Sequence, residues 1–167
     1  MRTQDSNRLI KHGMTAMLVA LLAGFGLMFF MLGGVSLWPL PAFIQWDLPG
    51  TVQGWRSLHL GMMMNGMMAV VLGIAGRSLA VTDHGSSIVS WGTIVAVWGN
   101  FCFYLFGMFA PNHGLTMGAN RLGEASLAGS LAFLPAFIGV VTLPVALIVL
   151  LGSKSNSIFQ SNSGRAQ

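Results

Sequence analysis

Apolar and polar residues alternate along the chain in long blocks rather than with a short period. Uncharged, largely apolar runs occupy residues 14–38, 60–76, 87–109 and 125–152, and short polar segments separate them. Each run is close to the ~20 residues that an α-helix needs to cross the hydrocarbon core of a bilayer. We therefore predict an all-α fold, an integral membrane bundle of four transmembrane helices at about 14–38, 58–79, 87–109 and 125–152.

Helix-breaking and charged residues mark the ends of these runs. Pro39 and Pro41 follow the first run, and Pro111 follows the third. Lys154 follows the fourth run and opens a polar, serine-rich segment. These signals indicate a single membrane domain over residues 1–152 and a loosely ordered polar tail over residues 153–167.

Composition supports the membrane assignment and excludes several classes of protein. Only 7% of the residues are charged and 54% are hydrophobic, whereas a soluble domain carries about 25% charged residues. A water-facing surface over the whole molecule is therefore excluded. The eight basic residues outnumber the four acidic ones, but they are not interleaved with aromatic residues as nucleic-acid binding would require, so we predict no nucleic-acid partner.

The basic residues predict how the chain is oriented in the membrane. With four spans, both termini and the second connection lie on the same side. That side holds Arg2, Arg8, Lys11, Arg77, Lys154 and Arg165. The other side holds Arg56 and Arg121. Because basic residues concentrate in cytoplasmic segments, we predict a bacterial-type inner (cytoplasmic) membrane protein with both termini in the cytoplasm.

The stretch HLGMMMNGMM, residues 59–68, places polar side chains within the second predicted span. Ionisable residues in transmembrane segments are functional candidates, because hydrocarbon penalises them. His59 is a candidate metal ligand, and the simpler alternative is an interfacial histidine bonded to a carbonyl or a lipid head group. The methionines are adaptable side chains that fill irregular gaps, either between helices or against a large flat ligand.

A haem with two axial histidines would need a second imidazole at a matching depth. His113 is the one histidine on the same predicted side as His59. It follows Pro111-Asn112 and precedes Gly114, which predicts a position in a loop. Ligation by His59 alone therefore fits the sequence better.

Asn65, Asn100 and Tyr104 are the other polar candidates. Asn100 and Tyr104 are spaced i, i+4 and share a helix face. Asn65 follows His59 by six residues, which at 100° per residue leaves the two side chains about 120° apart. If both serve the same kind of site, the second helix touches two sites, as in a symmetric oligomer. The simpler alternatives are interhelical hydrogen bonds for the asparagines and a membrane-interface position for the tyrosine.

Other kinds of chemistry are not indicated. Cys102 is the single cysteine, so an internal disulfide is excluded, and with no cation in its run it has no reason to be reactive. The sequence contains no Gly-rich phosphate loop, paired carboxylates, Ser-His-Asp set or zinc-ligand spacing. The polar residues of the predicted spans therefore remain the functional candidates.

Several segments match a known family. They are RLIKHG at the start, LLAGFGL and LGG in the first span, PGTVQGWRSLH and NGMM around the start of the second, and WGNFCFYLF and PNHGLTMGAN at the end of the third. In these segments the chain resembles the styrene oxide isomerases, small membrane enzymes that convert aryl epoxides to aldehydes. The fourth span is similar mainly in its hydrophobicity. The family pattern has an arginine shortly before the histidine, and in this chain that arginine, Arg56, stands one position earlier. The resemblance therefore assigns no role to Arg56, such as pairing with a haem propionate.

The resemblance implies a homotrimer of four-helix subunits, with ferric haem b held at the subunit interfaces. It implies that His59 is the axial iron ligand and that Met63 and Asn100 also bind the cofactor. Asn65 and Tyr104 are then the catalytic residues, on the opposite, substrate-binding face of the haem. The implied substrate is a small apolar epoxide that partitions into the lipid bilayer.

The implied reaction is the isomerisation of styrene oxide to phenylacetaldehyde without net redox. Ferric iron with one protein ligand acts as the Lewis acid that opens the epoxide ring, and a 1,2-hydride shift gives the aldehyde. Two alternatives stay open at this point. One is a haem-binding electron-transfer subunit like a membrane cytochrome b, which requires a second strong ligand and a redox partner. The other is a cofactor-free channel, transporter or assembly protein.

Overall fold

Long α-helices make up most of the described chain, which comprises residues 1–37 and 39–155 of this computed structural model. Within these residues the four helices are α1 (Thr3–Leu32), α2 (Val52–Ala75), α3 (Asp83–Gly107) and α4 (Leu127–Leu151). Each is long and apolar enough to cross a membrane. The predicted all-α fold with four transmembrane helices is therefore confirmed.

Short strands join the helices. β1 (Gly34–Ser36) and β2 (Phe43–Gln45) form an antiparallel hairpin between α1 and α2. After α2, a single-turn 3₁₀ helix (Gly76–Ser78) leads into β3 (Leu79–Ala80), which pairs with β4 (Lys154–Ser155) after α4. The start of the predicted polar tail is thus tied to the α2–α3 connection, and the rest of that tail, from residue 156, lies outside the described residues.

The helices run alternately up and down, so the connections gather at two ends. The amino group of Met1 donates to Leu79 O at 2.9 Å, which places the N-terminus, the α2–α3 connection and β4 together at what we call the terminal end. The α1–α2 and α3–α4 connections lie at the opposite end, which we call the loop end. α1 packs mainly on α2 and α3 mainly on α4, while smaller contacts join α1 and α2 to α3.

Helix α1 begins and ends earlier than the predicted first span, residues 14–38. It ends at Leu32 because Gly33 adopts the left-handed conformation (φ 66°) that closes a helix C-terminus. The following residues form β1, so the end of the predicted span falls in the hairpin instead. Trp38, the last residue of that span, lies outside the described residues.

The early start of α1, at Thr3, is explained by polar packing at the terminal end. Asp5 is 2% exposed, and its carboxylate accepts hydrogen bonds from Arg2 Nε at 2.7 Å and Ser86 Oγ at 2.6 Å. The Ser6 hydroxyl donates to Gly73 O at 2.7 Å. These bonds satisfy polar groups that would otherwise be costly to bury. They hold the starts of α1 and α3 and the end of α2 together.

Glycines set how closely the helices approach one another. A Cβ built on Gly66 of α2 would lie 2.7 Å from Gly13 O of α1, and a Cβ built on Gly13 would lie 2.7 Å from Gly66 O. Between α3 and α4, a Cβ on Gly139 would lie 2.9 Å from Ala96 Cα. At such crossings backbone packs directly on backbone, as small residues allow in membrane helices. The middle of α2 is thereby fixed against α1.

Replacing Gly66 by valine should destabilise the fold. The added side chain would meet the backbone atoms Gly13 O and Met17 N, and overpacking a close-packed interface costs about 1–3 kcal/mol. Gly118→Val is the control, because nothing lies within 4 Å of a Cβ at Gly118. We expect the unfolding midpoint in an SDS titration to fall for Gly66→Val and not for Gly118→Val. Equal midpoints would contradict the close crossing of α1 and α2.

Candidate functional site

His59 lies on the side of α2 that faces α1. Its Nδ1 is 2.7 Å from Ala20 O. A carbonyl oxygen only accepts, so Nδ1 is the donor in this bond. Gly24 makes room for the ring, since a Cβ there would lie 2.9 Å from Nδ1. The result is an oriented imidazole whose Nε2 is not used by the bond to Ala20, the arrangement found in metal-ligating histidines.

The outward surface of α2 beside His59 is apolar. Met63 follows His59 by one turn and is half-buried. Next to it runs an exposed stripe formed by Leu60, Met64, Met67, Val71 and Ile74. Met64 is 68% exposed, so the described residues leave the stripe largely uncovered. This surface is open to lipid, to a second copy of the chain or to a large apolar ligand held by His59.

Asn65 lies on the side of α2 that faces α3 and is 8% exposed. Its Nδ2 donates to Gly61 O at 2.8 Å, and its Oδ1 accepts a hydrogen bond from Asn100 Nδ2 at 2.9 Å. Tyr104 packs on Gly61, where a Cβ would lie 2.9 Å from the hydroxyl oxygen. The structure therefore brings Asn65, Asn100 and Tyr104 together. The face that Asn100 and Tyr104 were predicted to share is the one that meets α2.

A cavity of about 300 Å³ lies between α2 and α3 at the loop end, and Tyr104 forms part of its wall. We call it the α2–α3 cavity. Gly54 and Ser57 line it from α2, and Phe103 lines it from α3. Among its described lining residues there is no Asp, Glu, Lys or Arg. The cavity therefore gives a small molecule a largely apolar approach to Tyr104.

His59 and the group of Asn65 and Tyr104 lie on different sides of α2. His59 meets α1, whereas Asn65 meets α3, in agreement with the separation of about 120° that their spacing predicts. Within the described part of one chain, His59 is therefore not directed at Asn65 or Tyr104. Two adjoining copies of the chain would bring both sides to one ligand.

His113 lies in the α3–α4 connection, as the sequence predicts. It is exposed, with a left-handed backbone conformation (φ 55°), and it lines the α2–α3 cavity together with Ser57. It is therefore on the α3 side of α2, whereas His59 is on the α1 side. One chain does not place these two imidazoles on opposite faces of a common ligand.

Arg56 and Cys102, the remaining candidates, belong to no polar cluster described above. Arg56 is exposed, one turn nearer the loop end than His59, and Cys102 is half-buried in α3. In the part of the chain that the structure describes, no group of three or more His, Cys, Asp or Glu side chains could hold a metal ion. A metal at His59 would therefore take most of its ligands from elsewhere.

Sequence reasoning does not single out Gly24, Gly61 or Ser57. The two glycines make room for the rings of His59 and Tyr104, and Ser57 lines the cavity. The chain has 22 glycines, and no local signal separates these two from glycines at ordinary helix crossings. The signal appears only once the pairing of the helices is known, because each glycine lies opposite its ring on a different helix.

Comparison with known proteins shows the family of this chain. The sequence model of the styrene oxide isomerase family matches residues 5–154. A curated relative, the styrene-oxide isomerase of Pseudomonas fluorescens, is 34% identical over 140 residues, which cover 83% of this chain and 82% of the relative. The matched range spans the positions of His59, Asn65 and Tyr104. The chain therefore belongs to the styrene oxide isomerase family.

Proposed function

We propose that this protein isomerises styrene oxide and related aryl epoxides to aldehydes, with ferric haem b bound through His59. The relative from Pseudomonas fluorescens is named for this substrate. The observation that carries the proposal is the geometry of His59. Its Nδ1 is tied to Ala20 O at 2.7 Å, which leaves Nε2 for iron beside an exposed apolar surface.

The residues around His59 fit a haem. The carbonyl bond at Nδ1 fixes the orientation of the ring for ligation through Nε2, and Met63 adds the adaptable apolar surface that suits a flat macrocycle. Asn100 holds Asn65 on the α3 side of the chain, so we assign Asn100 to the haem at the adjoining interface. When bound, ferric haem with one protein ligand supplies a Lewis acid with an open coordination position.

The reaction itself needs no electrons and no external proton. The benzylic C–O bond of the epoxide breaks, and a hydride moves from the oxygen-bearing carbon to the benzylic carbon to give the aldehyde. Tyr104 donates its O–H to the epoxide oxygen and stabilises the negative charge that develops there. Asn65 is held by Gly61 O and Asn100, and its remaining amide hydrogen orients the same oxygen.

The apolar residues near Tyr104 suit a reaction that water must not enter. Water would trap the benzylic cation as a diol, so the reaction requires a dry site. Phe103 and Met108 supply apolar walls in the α2–α3 cavity. A hydride shift requires no carboxylate base, so a cavity whose described lining has no Asp or Glu suits the reaction.

We assign the complete site to the interface between subunits of a homotrimer. His59 and Tyr104 lie on different sides of α2, so one ligand meets both only when two chains adjoin. The exposed stripe on α2 offers an apolar surface for that contact. The number three is taken from the family resemblance.

The distribution of charge supports an orientation in the inner membrane with both termini in the cytoplasm. The basic residues of the terminal end are Arg2, Arg8, Lys11, Arg77 and Lys154. The loop end carries Arg56 and Arg121. Basic residues are enriched on the cytoplasmic side of membrane proteins, so we assign the terminal end to that side.

His59→Ala should remove the haem. The variant loses the only contact that we assign to the iron, and we expect the ratio of Soret to protein absorbance to fall by about tenfold or more. His84→Ala is the control, because His84 is exposed at the start of α3. Full haem content and activity in His59→Ala would refute the assignment. A low-spin, six-coordinate spectrum that does not respond to styrene oxide would favour an electron-transfer subunit instead.

Tyr104→Phe should lower turnover while the haem stays bound. Loss of a hydrogen-bond donor to a developing oxyanion costs about 10²–10³ in kcat, and Asn65→Ala should act in the same direction. Cys102→Ala, a neighbouring change on α3, should leave kcat unchanged. Phenylacetaldehyde formation and the Soret band are measured on the same preparations. Loss of haem from Tyr104→Phe or Asn65→Ala would show that these residues are structural.

A further inference from the structure

We propose that the α2–α3 cavity is the passage by which the epoxide reaches Tyr104, and that Ser57 and Leu115 set the largest ring substituent it admits. This inference rests on the proposed isomerase function and adds two specificity-determining residues to it. Tyr104 forms the inner wall of the cavity, and Ser57 and Leu115 line it nearer the loop end.

The cavity leads along one face of α2 toward Tyr104. Gly54, Ser57 and Gly61 follow one another at spacings of three and four residues, so they lie on the same helix face. A Cβ built on Gly61 would lie 2.9 Å from the Tyr104 hydroxyl oxygen. Ser57 is one turn closer to the loop end than Gly61. A larger side chain at position 57 would therefore stand between the loop end and Tyr104.

The size and lining of the cavity suit a small aryl epoxide. Its volume of about 300 Å³ is at the lower limit of the ~300–1,000 Å³ found for small-molecule sites. Phe103, Met108 and Leu115 supply apolar walls, and Thr51 and His113 add polar groups near the mouth. An apolar ring that carries one polar oxygen matches this combination.

Hydrogen bonds fix the loop that carries Leu115. Asn112 is fully buried, and its Nδ2 donates to Thr116 O and Gly118 O, both at 2.9 Å. Its Oδ1 accepts a hydrogen bond from Gly114 N at 3.2 Å. Leu115 is thus held by bonds on both sides of it. The mouth of the cavity therefore has a set width, as a size filter requires.

Two variants change that width in opposite directions. Ser57→Leu adds bulk inside the passage, and Leu115→Ala removes bulk at its mouth. The quantity to measure is kcat/KM for para-tert-butylstyrene oxide divided by kcat/KM for styrene oxide, in protein whose Soret band shows bound haem. One methylene in an apolar pocket changes specificity by about 10–200-fold. The ratio should therefore fall by about tenfold or more in Ser57→Leu. It should rise several-fold in Leu115→Ala.

Matched controls separate the passage from general effects on the loop end. Leu122→Ala truncates an exposed leucine in the same connection as Leu115, and Ser36→Leu adds a leucine at an exposed position of β1. Neither residue lines the described wall of the cavity. Both controls should keep the wild-type ratio.

The outcomes distinguish the passage from the function on which it rests. An unchanged ratio in both Ser57→Leu and Leu115→Ala would overturn the passage, while turnover of styrene oxide in the same preparations would leave the isomerase function standing. If Ser57→Leu loses haem, Leu115→Ala decides, because Leu115 is 50% exposed and tolerates truncation. A wild-type protein that isomerises neither epoxide would refute the proposed function itself.

Discussion

The direction of side chains around α2 is the constraint on which the proposed site depends. An α-helix turns by 100° per residue, so a His59 that faces α1 leaves Asn65 facing α3. One helix thus presents an imidazole on one side and the Asn65 amide on another. In the proposed site, a second copy of the chain brings the two sides to one ligand. In this account oligomerisation completes the chemistry as well as burying apolar surface.

The rest of the fold holds α2 in that position. At the terminal end, the Ser6 hydroxyl ties α1 to the last turns of α2. In the middle, the crossing of Gly13 and Gly66 brings the two backbones into contact. At the loop end, Thr51 Oγ1 accepts a hydrogen bond from Gly54 N at 2.9 Å and caps the helix. A helix that is tied to α1 at two heights and capped at its start gives His59 and Asn65 set directions.

Much of the fold could be predicted from the sequence, because long uncharged runs permit little other than membrane helices. The separation of His59 from the other polar candidates also follows from spacing alone. The start of α1 could not be predicted, since Asp5 resembles a solvated residue until Ser86 is known to lie beside it. The hydrogen-bond partner of His59 could not be predicted either, because a backbone carbonyl such as that of Ala20 has no signature in the sequence. The cofactor and the substrate come from family resemblance, which spacing does not supply.

Co-expression of two defective variants tests most directly whether the site lies between subunits. Mixed oligomers of His59→Ala and Tyr104→Phe chains contain interfaces that join an intact His59 to an intact Tyr104. With random mixing, about a quarter of the interfaces are of this kind. Isomerase activity should therefore return to about a quarter of the wild-type level, although each variant alone is nearly inactive. If both residues act within one chain, every site keeps a defect, and a mixture no more active than its parts would contradict the account.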